Sequence, residues 1–328
     1  MGSNDDTRKP VTADIGEDKM KQAESPPDTS LELLLEDIRR KHGEALLAIL
    51  VYGSWLRGKR DTMLDFYVLV ENYHTLDSPW QGWMCKLLPP NVYHIHHKAN
   101  EPDKDRPDTV QQELRAKYAL LTLKRFRHAM QHDFHSYFWA RFAQPCEILY
   151  VRDDAAKAEL EDAFSCASAT FIQRVLPTMG DEFTSNELWT HGLSLTYQCE
   201  LRTESSNRGE SIYDFNPGYY NGITSTFARK SSEISGLKTE NQYSNQSKAL
   251  SRNLSGLNWW IRRIQGKLLS MLRLSKAAFT FNEPLEYLLW KIKRHSGVYI
   301  QPSQRQLKHP LIFAWPLLWK LYRRGAFR

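Results

Sequence analysis

The residues best suited to chemistry are a Gly-Ser pair and an aspartate that follows it. Gly53 and Ser54 end an apolar run, and Asp65 lies in the next apolar run after ten intervening residues. A glycine lets the backbone approach a triphosphate, and a serine hydroxyl can donate to its phosphate oxygens. A carboxylate on the following strand can hold Mg²⁺. The spacing favours nucleotidyl-transfer chemistry, although a Gly-Ser pair by itself is more often an ordinary turn.

The predicted strand around Asp65 carries a single acid on that face. Side chains alternate along a strand, so the residues that share the face of Asp65 are Met63 and Tyr67. Nucleotidyl-transferring enzymes commonly have a second carboxylate two positions along. The residues alone therefore leave two interpretations open, a site with one carboxylate and a site that has lost its activity.

Apolar periodicity predicts the elements around these residues. An amphipathic helix over residues 30–43 ends at Gly43, and two buried strands follow over residues 45–54 and 64–70. The next predicted elements are a helix over residues 109–131, a strand over 146–153 and a helix over 154–175.

The second half of the chain is predicted to be mostly helical. Thr184 and Glu187 form a capping-box pattern, which predicts a helix that runs to about Arg202. Residues 203–256 are rich in Ser, Asn, Gly and Tyr, a composition typical of an extended or mobile excursion. An amphipathic helix is expected again over residues 259–274.

Composition limits the class of protein. Lys plus Arg exceed Asp plus Glu by 44 to 38, and the resulting net charge of +6 favours anionic partners. The four cysteines are widely spaced, which indicates free thiols in a reducing compartment.

Residues 1–30 lack the apolar core of a signal peptide and are predicted to be a disordered tail. Because no apolar run approaches the ~20 residues that span a bilayer, we expect a cytoplasmic protein, soluble or peripheral on the inner face of a membrane.

Five collinear segments carry a resemblance to a known family. YGSWLRGKRDTMLDFYVLVENY, residues 52–73, resembles the mitochondrial-type phosphatidate cytidylyltransferases, the translocator assembly and maintenance family, whose strand also lacks the paired acid. The other segments are NVYHIH at 91–96, KYALL at 117–121, WARFAQP at 139–145 and LTYQCELR at 195–202. The chain departs from the family pattern at Trp55, Ala119 and Ala140, which replace glycines, and at Glu200, which replaces an aspartate.

The resemblance implies an α+β fold with an αβ domain of the nucleotidyltransferase (polymerase-β) type. That domain is expected over residues 31–180, followed by a mostly helical domain with the polar excursion over 181–285. A basic amphipathic segment over residues 286–328 completes the predicted organisation.

The resemblance also implies a reaction and a set of site residues. CTP and phosphatidate would give CDP-diacylglycerol and pyrophosphate with Mg²⁺ as cofactor, and no nucleic-acid partner is expected. The implied catalytic residues are Asp65, Lys117 and Arg141, and Tyr52, Gly53, Ser54 and Lys117 would bind the nucleotide. Asp65 and Glu200 are the implied metal ligands, and the further candidates are Asn91, His94, Tyr118 and Arg202.

The C-terminal segment favours contact with an anionic membrane surface. From Lys291 to Arg328 the chain carries nine Lys or Arg residues and no Asp or Glu, and Trp315 and Trp319 lie within its apolar stretch. This composition is typical of a helix at a lipid interface, but the same stretch is equally suited to docking on the core of the protein.

Two other functions remain open. The chain is also consistent with a nucleotidyltransferase that acts on another lipid or on a small phosphorylated acceptor. A basic membrane- or nucleic-acid-binding module on an inactive fold is the non-enzymatic alternative, and the single strand carboxylate favours it. The HIHH run at 94–97 is better explained as a polar edge than as a zinc site, because adjacent strand residues alternate faces.

Overall fold

A computed structural model describes residues 29–53, 55–57, 64–76, 78–97, 114–200, 208–237 and 239–280. The predicted tail up to residue 28, Ser54, Arg202 and the predicted membrane-contact segment at 286–328 lie outside these ranges. None of the described helices is long and apolar enough to cross a membrane.

The first half of the chain forms a five-stranded mixed sheet with helices on both faces. The strand order is β3-β4-β2-β1-β5, in which β2 and β4 are parallel and the other neighbours are antiparallel. The strands are β1 (Leu46–Tyr52), β2 (Leu64–Val70), β3 (Asn91–His97), β4 (Leu114–Thr122) and β5 (Cys146–Val151). The helices are α1 (Thr29–His42), α2 (Pro79–Leu87), α3 (Leu123–His132), α4 (Trp139–Phe142) and α5 (Asp154–Val175).

The described part of the second half adds a small antiparallel sheet and four further helices. The sheet has the order β6-β8-β7. Its strands are β6 (Glu182–Thr184), β7 (Ile234–Gly236) and β8 (Gln242–Asn245). The helices are α6 (Ser185–Gln198), α7 (Arg208–Tyr213), α8 (Pro217–Lys230) and α9 (Ala249–Thr280). The predicted α+β class is therefore confirmed.

Several local predictions are confirmed because short-range chemistry determines them. Gly43 ends α1 with a φ of 51°, a left-handed conformation that glycine adopts without a steric cost. The Thr184 side chain accepts from the Glu187 amide, and the Glu187 carboxylate accepts from the Thr184 amide, so the capping box starts α6 as expected.

Two longer predictions are wrong. The helix expected over residues 109–131 is a strand from Leu114 to Thr122 and a helix only from Leu123, because β4 pairs on both sides with β2 and β3. The excursion expected over 203–256 contains α7, α8, two strands and the start of α9. Its few apolar residues, such as Tyr220 and Ile223, are buried against the core, so tertiary packing outweighs the polar composition.

The large sheet separates two apolar clusters. On one face, Leu69 and Leu121 pack with α3, α4 and α5, and this cluster continues through α6 and α8 to Trp259 of α9. On the other face, Val68 and Leu120 pack against α1 and α2. The charged residues described next lie on the face of the larger cluster.

Candidate functional site

Asp65 and Lys117 form an ion pair across two parallel strands. The register of β2 and β4 places the two residues opposite each other, and Lys117 Nζ lies 2.8 Å from Asp65 Oδ1. Each side chain is about one-third exposed, at 31% for Asp65 and 32% for Lys117. His94 of the edge strand β3 is opposite Lys117, so one row across three strands carries a histidine, a cation and a carboxylate.

Arg141 contributes a second, more deeply buried ion pair on the same face. One of its terminal nitrogens donates to the Tyr67 hydroxyl over 2.8 Å, and the other donates to the two Glu200 oxygens over 3.2 and 3.3 Å. Tyr67 follows Asp65 by two positions on β2 and therefore shares its face. Glu200 lies just beyond the end of α6. The two ion pairs thus belong to one side of the sheet.

Aromatic rings surround the Arg141 guanidinium. Its central carbon lies 5.4 Å from the centre of the Tyr52 ring and 4.2 Å from that of Tyr137. Arg273 of α9 contacts the Tyr137 ring at 3.9 Å, so this tyrosine packs against two guanidinium groups. Cations over aromatic faces are attracted by the ring quadrupole.

Burial and the guanidinium groups together set the charge states in this cluster. Burial raises the pKa of Tyr67 well above its usual value, although Arg141 opposes the shift. Burial also raises the pKa of Tyr137, but the combined field of Arg141 and Arg273 outweighs it and leaves that pKa below its usual value. For Arg141, burial lowers the pKa, and the tyrosines and Glu200 more than compensate, so it stays a cation throughout the physiological range.

The turn at the end of β1 has a left-handed backbone at Gly53. Gly53 has a φ of 88°, and no atom of the described residues lies within 4 Å of the position that a Cβ would occupy. A side chain here would be strained by the backbone conformation rather than by crowding. Tyr52, which precedes this turn, ends β1 and packs on the site face against Tyr67.

Two of the predicted candidates lie on the opposite face of the sheet. Tyr118 alternates with Lys117 along β4, and its hydroxyl is 3.3 Å from His42 Nε2. Asn91 donates to the Gln81 carbonyl oxygen and accepts from Lys276, so it fastens α2 and α9 to β3. Neither residue joins the charged cluster, because side chains alternate along a strand.

The cluster offers carboxylates for a hard cation, but it is not a closed metal cage. Among the described residues, no group of three or more His, Cys, Asp or Glu side chains is arranged to hold a metal. Asp65 and Glu200 each pair with a cation. Mg²⁺ is commonly bound through one or two carboxylates together with water and substrate phosphates, and one partly exposed carboxylate fits that mode.

Three members of the cluster were not among the predicted site residues. Tyr67 was identified only as a neighbour of Asp65, although its position two residues along was the signal that it shares the face. Tyr137 and Arg273 carry no such signal, since the turn before α4 and helix α9 reach this cluster through tertiary packing.

Comparison with known proteins assigns no family to the chain. It matches no protein-family model and no curated protein. Function is therefore inferred from the geometry of the cluster and from the five short segments of resemblance.

Proposed function

We propose that the chain is a CTP:phosphatidate cytidylyltransferase with a nucleotidyltransferase-like fold, acting at a membrane surface. The observation that carries the proposal is that two ion pairs bring four charged residues, from four separate segments, to one face of the sheet. Asp65 pairs with Lys117, and Arg141 pairs with Glu200, on one face of the sheet. The resemblance selected these four side chains, and nothing in their sequence spacing requires them to share one face of the sheet.

The cations suit a reaction between two phosphate-bearing substrates. A phosphate monoester has a second pKa near 6 and is mostly a dianion at neutral pH, so its attack on the α-phosphorus of CTP requires no general base. Lys117 is partly exposed, and its ammonium group, a compact positive charge, would bind phosphate oxygens. Arg141 is held in place by Tyr67 and Glu200, so its planar guanidinium would act as a fixed phosphate ligand.

Asp65 is the side chain that would hold Mg²⁺, with Glu200 as a second acid. The ion, when bound, draws negative charge from the triphosphate. Gly53 would let the backbone approach the nucleotide at the end of β1, since its Cβ position is open.

The test is pyrophosphate release from CTP with phosphatidate vesicles and Mg²⁺. Asp65→Asn preserves the size of the side chain but removes its charge, and we expect the rate to fall on the order of 1,000-fold. The matched control is Asp162→Asn, which removes a carboxylate that pairs with Arg127 on the protein surface. Inertness of the folded wild-type protein with every nucleotide and divalent metal would refute the proposal, and activity only with another phosphorylated acceptor would reassign the substrate.

A non-catalytic binding module is the second candidate. It is favoured by the pairing of both carboxylates with cations, which reduces the net negative charge offered to a metal. In that case the wild-type protein would bind anionic vesicles without releasing pyrophosphate, and Asp65→Ala would leave vesicle binding unchanged.

A further inference from the structure

Helix α9 exposes a continuous apolar stripe. Along the helix, spacings of three and four residues alternate between its exposed aliphatic side chains, which places them on one side. The stripe consists of Leu250, Leu254, Leu257, Ile261, Ile264 and Leu268, which are between 42% and 70% exposed. Trp260 lies beside it and is 57% exposed.

The side of α9 that faces the protein carries buried cations. Arg262 is 1% exposed, donates to the Phe134 carbonyl oxygen over 2.7 Å, and packs against the Trp259 ring. Lys276 is 4% exposed and donates to the Pro90 carbonyl oxygen over 2.7 Å. This arrangement reverses the usual one, in which the apolar side of a surface helix faces the protein. The outward stripe is therefore expected to bind an apolar partner.

A second exposed apolar stripe lies where α9 joins the large sheet. On α2, Trp80, Trp83 and Leu87 are 59%, 51% and 65% exposed, and the two indole rings stack with their centres 4.9 Å apart. Just after α2, the Pro89 carbonyl oxygen accepts from Arg273 of α9 over 3.0 Å. The C-terminal half of α9 is thus fastened to the loop that follows α2.

The charges around both stripes distinguish among the possible partners. Neither α2 nor α9 contains Asp or Glu. Three cations of α9 contact the protein, Arg262, Arg273 and Lys276, and the cations left near the outside are Arg252, Arg263 and Lys267, together with Lys86 of α2. A second copy would bring cations against cations. The segment 281–328 has nine Lys or Arg and two Glu residues, so it too would be repelled. An anionic surface attracts these cations, and exposed tryptophans are typical of the lipid interface.

We propose that the outward stripes of α9 and α2 form a docking surface for an anionic lipid bilayer. The proposal rests on the proposed function in one respect, that the substrate is a lipid. It assigns the contact to described helices, in addition to the basic segment near the C-terminus. Arg273 extends from α9 to Tyr137, which Arg141 also contacts, so the helix that docks is physically joined to the charged cluster.

The experiment is flotation of the full chain with phosphatidylcholine vesicles, with and without phosphatidylglycerol, in the absence of CTP. The triple variant Leu257→Gln, Ile261→Gln and Ile264→Gln removes the centre of the stripe but retains helix-forming residues. We expect vesicle binding to fall about 10-fold or more. The matched control changes exposed polar positions of the same helix, Ser251→Gln, Asn253→Gln and Asn258→Gln, and should bind like wild type.

Binding should require phosphatidylglycerol and should weaken as salt is raised. Wild-type protein that floats with neither vesicle, or a folded triple variant that floats as well as wild type, would overturn the proposal. So would a wild-type dimer that becomes a monomer in the triple variant, since a second copy would then cover the stripe. If circular dichroism shows that the triple variant is unfolded, the single variant Ile261→Gln replaces it. We then expect a several-fold loss of vesicle binding. Unchanged vesicle binding by Ile261→Gln would contradict the proposal. Flotation without pyrophosphate release would refute only the proposed reaction.

Discussion

Arg141 is the residue on which the charged cluster depends. It is 9% exposed, and its donors reach both Tyr67 on the sheet and Glu200 beyond α6. A buried cation is costly unless it is paired and hydrogen-bonded. Arg141 donates to Tyr67 and Glu200, and the Tyr52 and Tyr137 rings lie against its guanidinium. Arg141 therefore stabilises the fold, in addition to the phosphate-binding role proposed for it.

Replacing Arg141 should be far more destabilising than replacing an exposed arginine. Arg141→Met removes the donor to Tyr67 and Glu200, and we expect the free energy of unfolding to fall by about 3–5 kcal/mol. Arg127 is 46% exposed and pairs with Glu159 at 3.2 Å, so Arg127→Met should cost less than about 1 kcal/mol. Urea denaturation measures both, and equal losses would contradict the assigned burial.

His135 should make stability depend on pH below neutrality. Burial lowers its pKa from 6.5 to about 4. Asp133 at 3.3 Å opposes this shift, and three nearby arginines add to it. The unfolded chain therefore binds the proton more readily, so stability is complete above pH ~6.5 and declines as the pH falls toward 4.

The expected decline is about 3 kcal/mol by pH 4, because the pKa falls from 6.5 to about 4 and each tenfold change in proton affinity is worth about 1.4 kcal/mol. Denaturant titrations of wild type and His135→Gln at several pH values measure the contribution of His135 to this decline in stability. The stability difference between the two proteins should change by that amount between pH 7 and 4. Parallel pH profiles would mean that His135 titrates normally.

At the scale of elements, close helix contacts hold Glu200 near the sheet. Gly266 of α9 crosses the end of α6 so tightly that an added Cβ would overlap the Cys199 carbonyl oxygen. Cys199 immediately precedes Glu200, and the position of α9 therefore bears on the ion pair with Arg141.

Two glycines of the same helix should respond oppositely to alanine. Gly266→Ala forces α9 away from Cys199, and we expect a loss of about 1–3 kcal/mol in the free energy of unfolding. Gly256 has no atom within 4 Å of its Cβ position, so Gly256→Ala should gain up to about 1 kcal/mol from helix propensity. Denaturation midpoints distinguish the two, and a gain in both would contradict the close crossing.

Local signals predicted some elements and failed for others. Strands β1 and β2 were predictable because apolar runs end at glycine or polar residues, and α6 because its capping box is built within four residues. Strand β4 was not predictable in this way, because the pattern of its nine residues favours a helix. It is a strand because it pairs with β2 and β3. That pairing places Lys117 beside Asp65, so half of the candidate site depends on a non-local contact.

At the scale of the molecule, one apolar cluster joins the two predicted domains. Leu69 of the sheet, Phe171 of α5 and Trp189 of α6 belong to it, and Trp259 of α9 completes it. Phe171 and Trp189 stack with ring centres 4.4 Å apart across the expected boundary near residue 180. Composition and repeats carry no information about such a contact, because it exists only when the halves pack.

The shared cluster should make the described parts of the two predicted domains unfold in a single cooperative step. Trp189→Ala removes a fully buried ring next to Phe171, and we expect the free energy of unfolding to fall by about 3–5 kcal/mol. Because both halves contribute to the same core, tryptophan fluorescence and far-ultraviolet circular dichroism should give coincident urea transitions in wild type and variant. Two separated transitions, with only one displaced by Trp189→Ala, would instead mean that the charged cluster and α9 belong to units that fold independently.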